Sequence, residues 1–237
     1  RFYLELAKVM PKDCMVTIDA GVAAGLSYDR ISYEMPRTMF NYAGQGGLGM
    51  GLGVGLGTKV GRPDRPAISI QGDGGFLYTS QELNTAVRHK IPLVSIVLNN
   101  SCHGAEKAQQ QRFYDEKYIG VDLENPRFDQ LAEVYGAKGY YVDHPGEVAD
   151  AVQQALALDG PSVIEIPVAE YFPPSAPLPG ATTGSSWAMG TAAPEGASMP
   201  CAPSWAWNAY LATTATNSSP ALRPSPNCTP RSWAPSS

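Results

Sequence analysis

Two short apolar runs constrain this 237-residue chain most: Ala67–Gln71 and Leu93–Leu98. Both are too short for a buried helix, and the second is apolar almost without interruption. That pattern predicts strands covered on both faces, the environment of a parallel sheet. The residues between them, Gly75–Lys90, place Leu77, Leu83, Ala86 and Val87 on one side of a helix. The same alternation extends in both directions. Met15–Ile18, Gly139–Val142 and Pro161–Ile166 read as further strands, and Pro36–Phe40 as extended chain. Arg1–Met10, Val22–Ser32, Gly47–Val60, Pro126–Tyr135 and Pro145–Leu158 read as helices. Alternating strands and helices predict an α/β fold: a doubly wound, mainly parallel sheet with helices on both faces.

Residues 1–172 suffice for one such domain. Composition changes after Phe172. Residues 173–237 hold all four Trp, 12 of the 21 Pro and only three charges, Glu195, Arg223 and Arg231. A segment of this kind buries too little apolar surface to offset its ordering entropy. It is expected to be an irregular tail, disordered or the product of a shifted reading frame. The start at Arg1, without Met, is expected to lie inside a longer protein. A net charge of -5 does not suggest a nucleic-acid surface or an anionic membrane. No apolar run approaches membrane-spanning length. Cys14, Cys102, Cys201 and Cys228 have no zinc or redox spacing, so a reduced, cytoplasmic protein is the default.

The chemistry gathers at two turns. The first strand ends in Gln71-Gly72-Asp73-Gly74-Gly75, and the second in Leu98-Asn99-Asn100-Ser101-Cys102. Glycines on both sides of Asp73 leave room for phosphate oxygens, and the N–H groups of Gly74 and Gly75 can donate to them. Mg²⁺ takes about six oxygens near 2.1 Å and favours carboxylates combined with phosphates. Asp73 offers a charged oxygen, Asn100 an amide oxygen and Cys102 a backbone carbonyl. Either turn alone is a weak signal. Together, at the ends of successive strands with a helix between them, they predict a metal-diphosphate site. A competing pattern, Gly44-x-Gly46-x-x-Gly49, matches the dinucleotide fingerprint. That fingerprint needs a strand just before it and an acid about twenty residues on, ending the next strand. Here the next strand runs into the Asp73 turn instead. The glycines of 41–57 therefore read as a close-packing helix and its approach.

With 24 residues separating Gly72-Asp73-Gly74 from Asn99-Asn100, the chain resembles the thiamine-diphosphate-dependent enzymes. Residues 1–172 are similar to the C-terminal diphosphate-binding domain of the acetolactate synthase-like superfamily. The resemblance implies thiamine diphosphate and Mg²⁺ as cofactors, with Mg²⁺ on Asp73, Asn100 and the Cys102 carbonyl. It implies that Gly72, Gly74 and Gly75 cradle the diphosphate. Gly46 and Leu48 would support the pyrimidine ring and the bent cofactor. The activating glutamate of such enzymes is expected on a pyrimidine-binding domain, in another part of the protein or another subunit. The catalytic residue of this chain is therefore unknown, and His103 is a candidate for proton transfer whose alternative is a partly exposed loop residue.

The implied activity is decarboxylation or carboligation of a small 2-oxo acid or aldehyde, in a homo-oligomer. FAD in the full-length enzyme is allowed but not indicated. Ala105, Glu106 and Gln109 stand where acetolactate synthases shape an apolar pocket. Gly104-Ala105-Glu106-Lys107 is more similar to the sulfoacetaldehyde acetyltransferase type. Lys107 reads as a solvated helix charge, with contact to a substrate anion as the alternative. Glu82 reads as structural. A non-catalytic remnant that keeps the fold is a further reading.

Overall fold

The computed structural model describes residues 1–41 and 46–169; the tail expected over 173–237 and residues 42–45 of the glycine-rich approach lie outside them. Six strands form one sheet: β1 (Met15–Ile18), β2 (Met39–Asn41), β3 (Ala67–Gly72), β4 (Val94–Asn99), β5 (Lys138–Tyr141) and β6 (Ser162–Pro167). Their order is β2-β1-β3-β4-β6-β5, and every pairing is parallel. The helices are α1 (Phe2–Val9), α2 (Val22–Gly25), α3 (Ser27–Arg30), α4 (Met50–Gly61), α5 (Asp73–Thr79), α6 (Glu82–Arg88), α7 (Gly104–Phe113), α8 (Phe128–Tyr135) and α9 (Val148–Leu156). Among the described residues no helix is long and apolar enough to cross a membrane.

Successive side chains of a strand point to opposite faces, so each central strand serves two cores. On one face Val16, Ile18, Ile68, Ile70, Val94, Ile96, Leu98 and Ile164 pack with residues of α1 and α9. On the other, Met15, Ala67, Val97 and Val163 pack with Leu52 and Leu56 of α4, Phe76 of α5 and Phe128 of α8. Phe76 and Phe128 meet edge to face with ring centroids 5.4 Å apart. This second face also buries polar groups: Thr17, Asp19, Ser69, Gln71, Ser95 and Glu165. Helix α4 reaches them through its small residues. A methyl at Gly55 would lie 2.9 Å from Leu93, and one at Gly51 would lie 2.9 Å from Asp19.

Four elements depart from the periodicity. The helix expected over Val22–Ser32 is two short ones, α2 and α3, with Leu26 between them. The glycine-rich helix begins at Met50 rather than Gly47, because Gly49 holds a left-handed φ of 87°. The helix expected over Gly75–Lys90 is two, α5 and α6. At the break, Leu83 and Asn84 donate to Ser80 and Gln81, three residues back instead of four. Helix α7 has no apolar stripe and no buried residue, so hydrophobic periodicity could not reveal it.

Candidate cofactor site

Parallel register brings the two polar turns together. Gly72 at the end of β3 pairs with Leu98 near the end of β4, which sets Asp73 beside Asn99 and Asn100. Both turns leave the carboxyl ends of adjacent central strands, where open α/β sheets bind ligands. Asp73 is the first residue of α5 and is 2% exposed. Burial pushes its carboxyl above the ordinary range. The Asn125 amide and the backbone N–H groups of Gly74, Asp73 itself and Ser101 pull it back.

The Asn100 side-chain amide lies between Asp73 and Cys102: its Nδ2 donates to Asp73 Oδ1 at 3.2 Å and to the Cys102 carbonyl at 3.0 Å. Turned over, the same amide would present its oxygen to a hard cation, and the spacings suit one, because adjacent ligands of an octahedron with bonds near 2.1 Å lie about 3.0 Å apart. One carboxylate, one amide and one carbonyl make an all-oxygen donor set. Among the described residues no group of three His, Cys, Asp or Glu side chains offers a softer one.

The shape of the second turn has a cause outside it. Ser101 holds a left-handed φ of 55°. The Asn99 side chain braces it, with Oδ1 accepting from Ser101 N at 3.1 Å. Asn99 Nδ2 donates to Glu165 Oε1 at 2.8 Å. Asn125 donates to Asp73 Oδ2 at 2.7 Å and to Asn99 Oδ1 at 2.9 Å. The two asparagines of the turn thus differ in role: Asn99 shapes it and Asn100 faces Asp73. Glu165 and Asn125 were missed in the sequence. Glu165 interrupts the last apolar strand, and a buried acid there demands partners. Asn125, in the stretch before α8, carries no such signal.

The glycines divide. A methyl at Gly72 would meet nothing within 4 Å, so the space there is open. At Gly74 it would lie 2.7 Å from the His103 ring, and at Gly75 2.5 Å from Asp19 Oδ2. The room made by Gly74 and Gly75 is thus taken by His103 and Asp19. Asp19, fully buried after β1, accepts from Gly49 N at 3.0 Å and from Ala20 N at 2.8 Å. Burial raises its carboxyl above the usual range, against those N–H groups and those of Met50 and Gly51. A carboxylate at the start of α4 also complements the positive end of that helix.

His103 and Gly74, with Leu77, Tyr78 and Leu123, line a recess of about 310 Å³ beside the Asp73 turn. A larger cavity of about 650 Å³, lined by Arg37, Phe40, Arg62 and Arg65 among others, lies at the amino end of the strands. The oxygen cluster is at the opposite end, so its chemistry belongs to the smaller recess. Gly46 is exposed, with a left-handed φ of 68°, and Leu48 is half-buried. Their turn is tied to α5, where the Thr79 hydroxyl donates to the Gly49 carbonyl at 2.9 Å. Lys107 is not a solvated charge: its side chain is 12% exposed and pairs with Asp122 at 2.7 Å. Glu82, half-buried at the start of α6, accepts from the Thr85 hydroxyl at 2.9 Å.

An all-parallel sheet with an acidic turn and an amide-bearing turn at the carboxyl ends of its central strands places the chain among the α/β domains that bind ligands at that end of the sheet. The family model for the thiamine pyrophosphate enzyme, C-terminal TPP binding domain, matches residues 19–166, and the chain belongs to that family. It is 38% identical over 152 residues to a sulfoacetaldehyde acetyltransferase of Alcaligenes xylosoxydans xylosoxydans, covering 64% of this chain and 25% of that protein. It is 32% identical over 167 residues to the acetolactate synthase isozyme 2 large subunit of Escherichia coli (strain K12), covering 70% of this chain and 30% of that protein. The acetolactate synthase of Bacillus subtilis (strain 168) is 36% identical over 165 residues, which cover 69% of this chain and 29% of that protein. The chain therefore spans between a quarter and a third of the length of these relatives.

Proposed function

We propose that this chain supplies the metal- and diphosphate-holding half of a thiamine-diphosphate-dependent active site, in a 2-oxo-acid decarboxylase or carboligase. The observation that carries the reading is the convergence of Asp73 Oδ1, the Asn100 side-chain amide and the Cys102 carbonyl, at contacts of 3.2 and 3.0 Å, at the carboxyl ends of two adjacent central strands. Asp73 would contribute the negative charge, Asn100 the amide oxygen and Cys102 its carbonyl to Mg²⁺. Open space at Gly72 would admit diphosphate oxygens next to that ion. Thiamine diphosphate, when bound, supplies a carbon nucleophile and an electron sink for decarboxylation.

The chain's own residues bind and orient. Asp73, held by Asn125 and by backbone N–H groups, keeps one oxygen turned to Asn100. Leu48 and Gly46, on the turn tied to α5, would flank the ring portion of the cofactor. His103, against Gly74, lines the recess and is the candidate for holding or moving a proton there. The activating glutamate would come from a pyrimidine-binding domain. Exposed apolar residues on and after α7 suit burial by such a partner, among them Phe113 at 63% and Ile119 at 81% exposed. The site would then lie between domains or subunits of a cytoplasmic oligomer.

A second reading within the class is transfer of an acetyl unit, as in the sulfoacetaldehyde acetyltransferase type. The segment Gly104-Ala105-Glu106-Lys107 favours it, being polar where a 2-oxo-acid carboligase needs an apolar pocket. Calorimetric titration with Mg²⁺ and thiamine diphosphate tests the shared part. Binding is expected in the wild type and lost in Asp73→Ala. Equal binding by the two proteins refutes the assignment. Product analysis with pyruvate or sulfoacetaldehyde, in the presence of the pyrimidine-binding domain, separates the two activities.

A further inference from the structure

Glu165 is a carboxyl group in the middle of a central strand, between Ile164 and Ile166, and 2% exposed. Its neighbours are all donors. Asn99 Nδ2 reaches Oε1 at 2.8 Å. Phe128 N and Asp129 N reach Oε2 at 2.7 and 3.4 Å, at the start of α8. Arg127 Nε stands 3.6 Å from Oε2. An ionised carboxylate only accepts, so Glu165 admits a single orientation of the Asn99 amide, with nitrogen toward the acid. Asn99 Oδ1 must then point the other way, to Ser101 N and Asn125 Nδ2. Asn125 in turn must present its nitrogen, which also donates to Asp73 Oδ2. Both hydrogens of that amide are thereby used. Its Oδ1 is buried without a partner, the local cost of keeping the nitrogen turned inward.

The chain of bonds has one sense from end to end. Glu165 accepts, Asn99 donates and accepts, Asn125 donates twice, and Asp73 accepts. Reversing any amide would set donor against donor or acceptor against acceptor. The left-handed Ser101, held by Asn99 Oδ1, is part of the same chain, and it lies in the turn that sets the Asn100 amide between Asp73 and the Cys102 carbonyl.

We propose that Glu165 is a positioning residue: it fixes the polarity of the hydrogen bonds running through Asn99 and Asn125 to Asp73, and so sets the cation affinity of the turn. The inference rests on the reading of Asp73, Asn100 and Cys102 as the cation-holding set. Glu165 itself touches neither that set nor the recess. Outer partners that orient metal ligands typically contribute about 10- to 100-fold in metal affinity.

The test is a cycle of variants in the full chain, titrated calorimetrically with Mg²⁺ in the presence of thiamine diphosphate. Glu165→Gln keeps size but puts an amide against Asn99. It should weaken Mg²⁺ binding by about tenfold or more. Asn99→Asp puts two carboxylates face to face and should also weaken binding, despite bringing negative charge nearer the ion. The double variant, Glu165→Gln with Asn99→Asp, restores one acceptor facing one donor. The introduced glutamine amide donates to the introduced carboxylate, which still accepts from Ser101 and Asn125. It should recover most of the lost affinity. A group that merely stabilises the fold would shift the unfolding temperature without that recovery. Asn125→Ala, in the stretch before α8 and not itself bonded to Glu165, should weaken binding too and serves if Glu165→Gln does not fold. Wild-type affinity in Glu165→Gln or in Asn125→Ala overturns the proposal. So does a double variant that adds the losses of the two singles. Asp73→Ala distinguishes the failures. If it binds Mg²⁺ as the wild type does, the cation reading falls and takes this inference with it. If it does not bind while Glu165→Gln binds normally, the inference alone falls.

Discussion

Gly72 and Gly75 flank the same aspartate, yet a methyl group should act on them in opposite ways. At Gly75 the added carbon would lie 2.5 Å from Asp19 Oδ2 and 3.2 Å from its Cγ. Asp19 is fully buried, and Oδ2 accepts from Gly49 N at 3.0 Å. The methyl must move the carboxylate and strand that N–H. A hydrogen bond to a charged group contributes about 1.5–3 kcal/mol, and a buried unsatisfied donor costs about 1–3 kcal/mol. Since these describe one loss from two sides, Gly75→Ala should destabilise by about 2–3 kcal/mol. At Gly72 the methyl meets nothing within 4 Å, and φ is -79°, which any residue adopts. Restricting the unfolded chain gains about 0.4–1 kcal/mol there, offset by a poorer helix cap worth about as much. Gly72→Ala should be nearly neutral in stability and should weaken diphosphate binding, because the methyl fills the open space. Urea unfolding gives the first quantity and titration with thiamine diphosphate and Mg²⁺ the second. The cost of Gly75→Ala should shrink in an Asp19→Ser background, where the clashing oxygens are gone. Equal stability losses at the two positions, or an undiminished loss in that background, would refute the reasoning.

A methyl at Gly139 would lie 2.1 Å from the Asp129 carbonyl oxygen. Backbone cannot rotate aside, so Gly139→Ala should cost about 3 kcal/mol, read by urea unfolding. Burial pushes the Cys14 thiol up to about 12. Native Cys14 should resist maleimide labelling at about pH 8 while remaining reactive in denaturant, where free thiols ionise near about 8.5; peptide mass spectrometry resolves the site. Asp19 has its carboxyl raised by burial, so the folded state holds its proton to higher pH than the unfolded state does. Its contribution to stability therefore falls as pH rises from about 3.9, the unfolded value, through the raised native one. Asp73 acts in the same sense in metal-free protein. Asp19→Asn should flatten the fall of unfolding free energy over that range, and an unchanged slope would contradict the assignment.

The sheet was legible because burial on both faces leaves a direct trace in residue type. Leu93–Leu98 has apolar residues at both parities, and no other common element of that length does. Helix α9 was legible for the complementary reason: Val148, Ala151, Val152 and Ala155 form one buried stripe. Helix α7 was not, since its Ala, Glu, Lys and Gln residues bury nothing in this chain. The break between α5 and α6 was hidden as well, because Ser80 and Gln81 keep helical backbone angles and only their hydrogen-bond partners change.

By itself the sequence determined the order of the strands and of the amphipathic helices, the acid and amides at two strand ends, and the family to which such turns belong. Those are properties of local pattern: strand ends are marked by glycine and polar residues whatever the chain does elsewhere. Tertiary structure alone decided which groups meet. Parallel register across β3, β4 and β6 brings Asp73, Asn99 and Glu165 into one network, although 92 positions separate the first from the last. It assigned Gly75 to Asp19 and Gly74 to His103. It also separated the two asparagines of the turn, one bracing the backbone and one facing the acid. Hydrogen bonds are directional and short, so which donor finds which acceptor is settled only when the strands have packed.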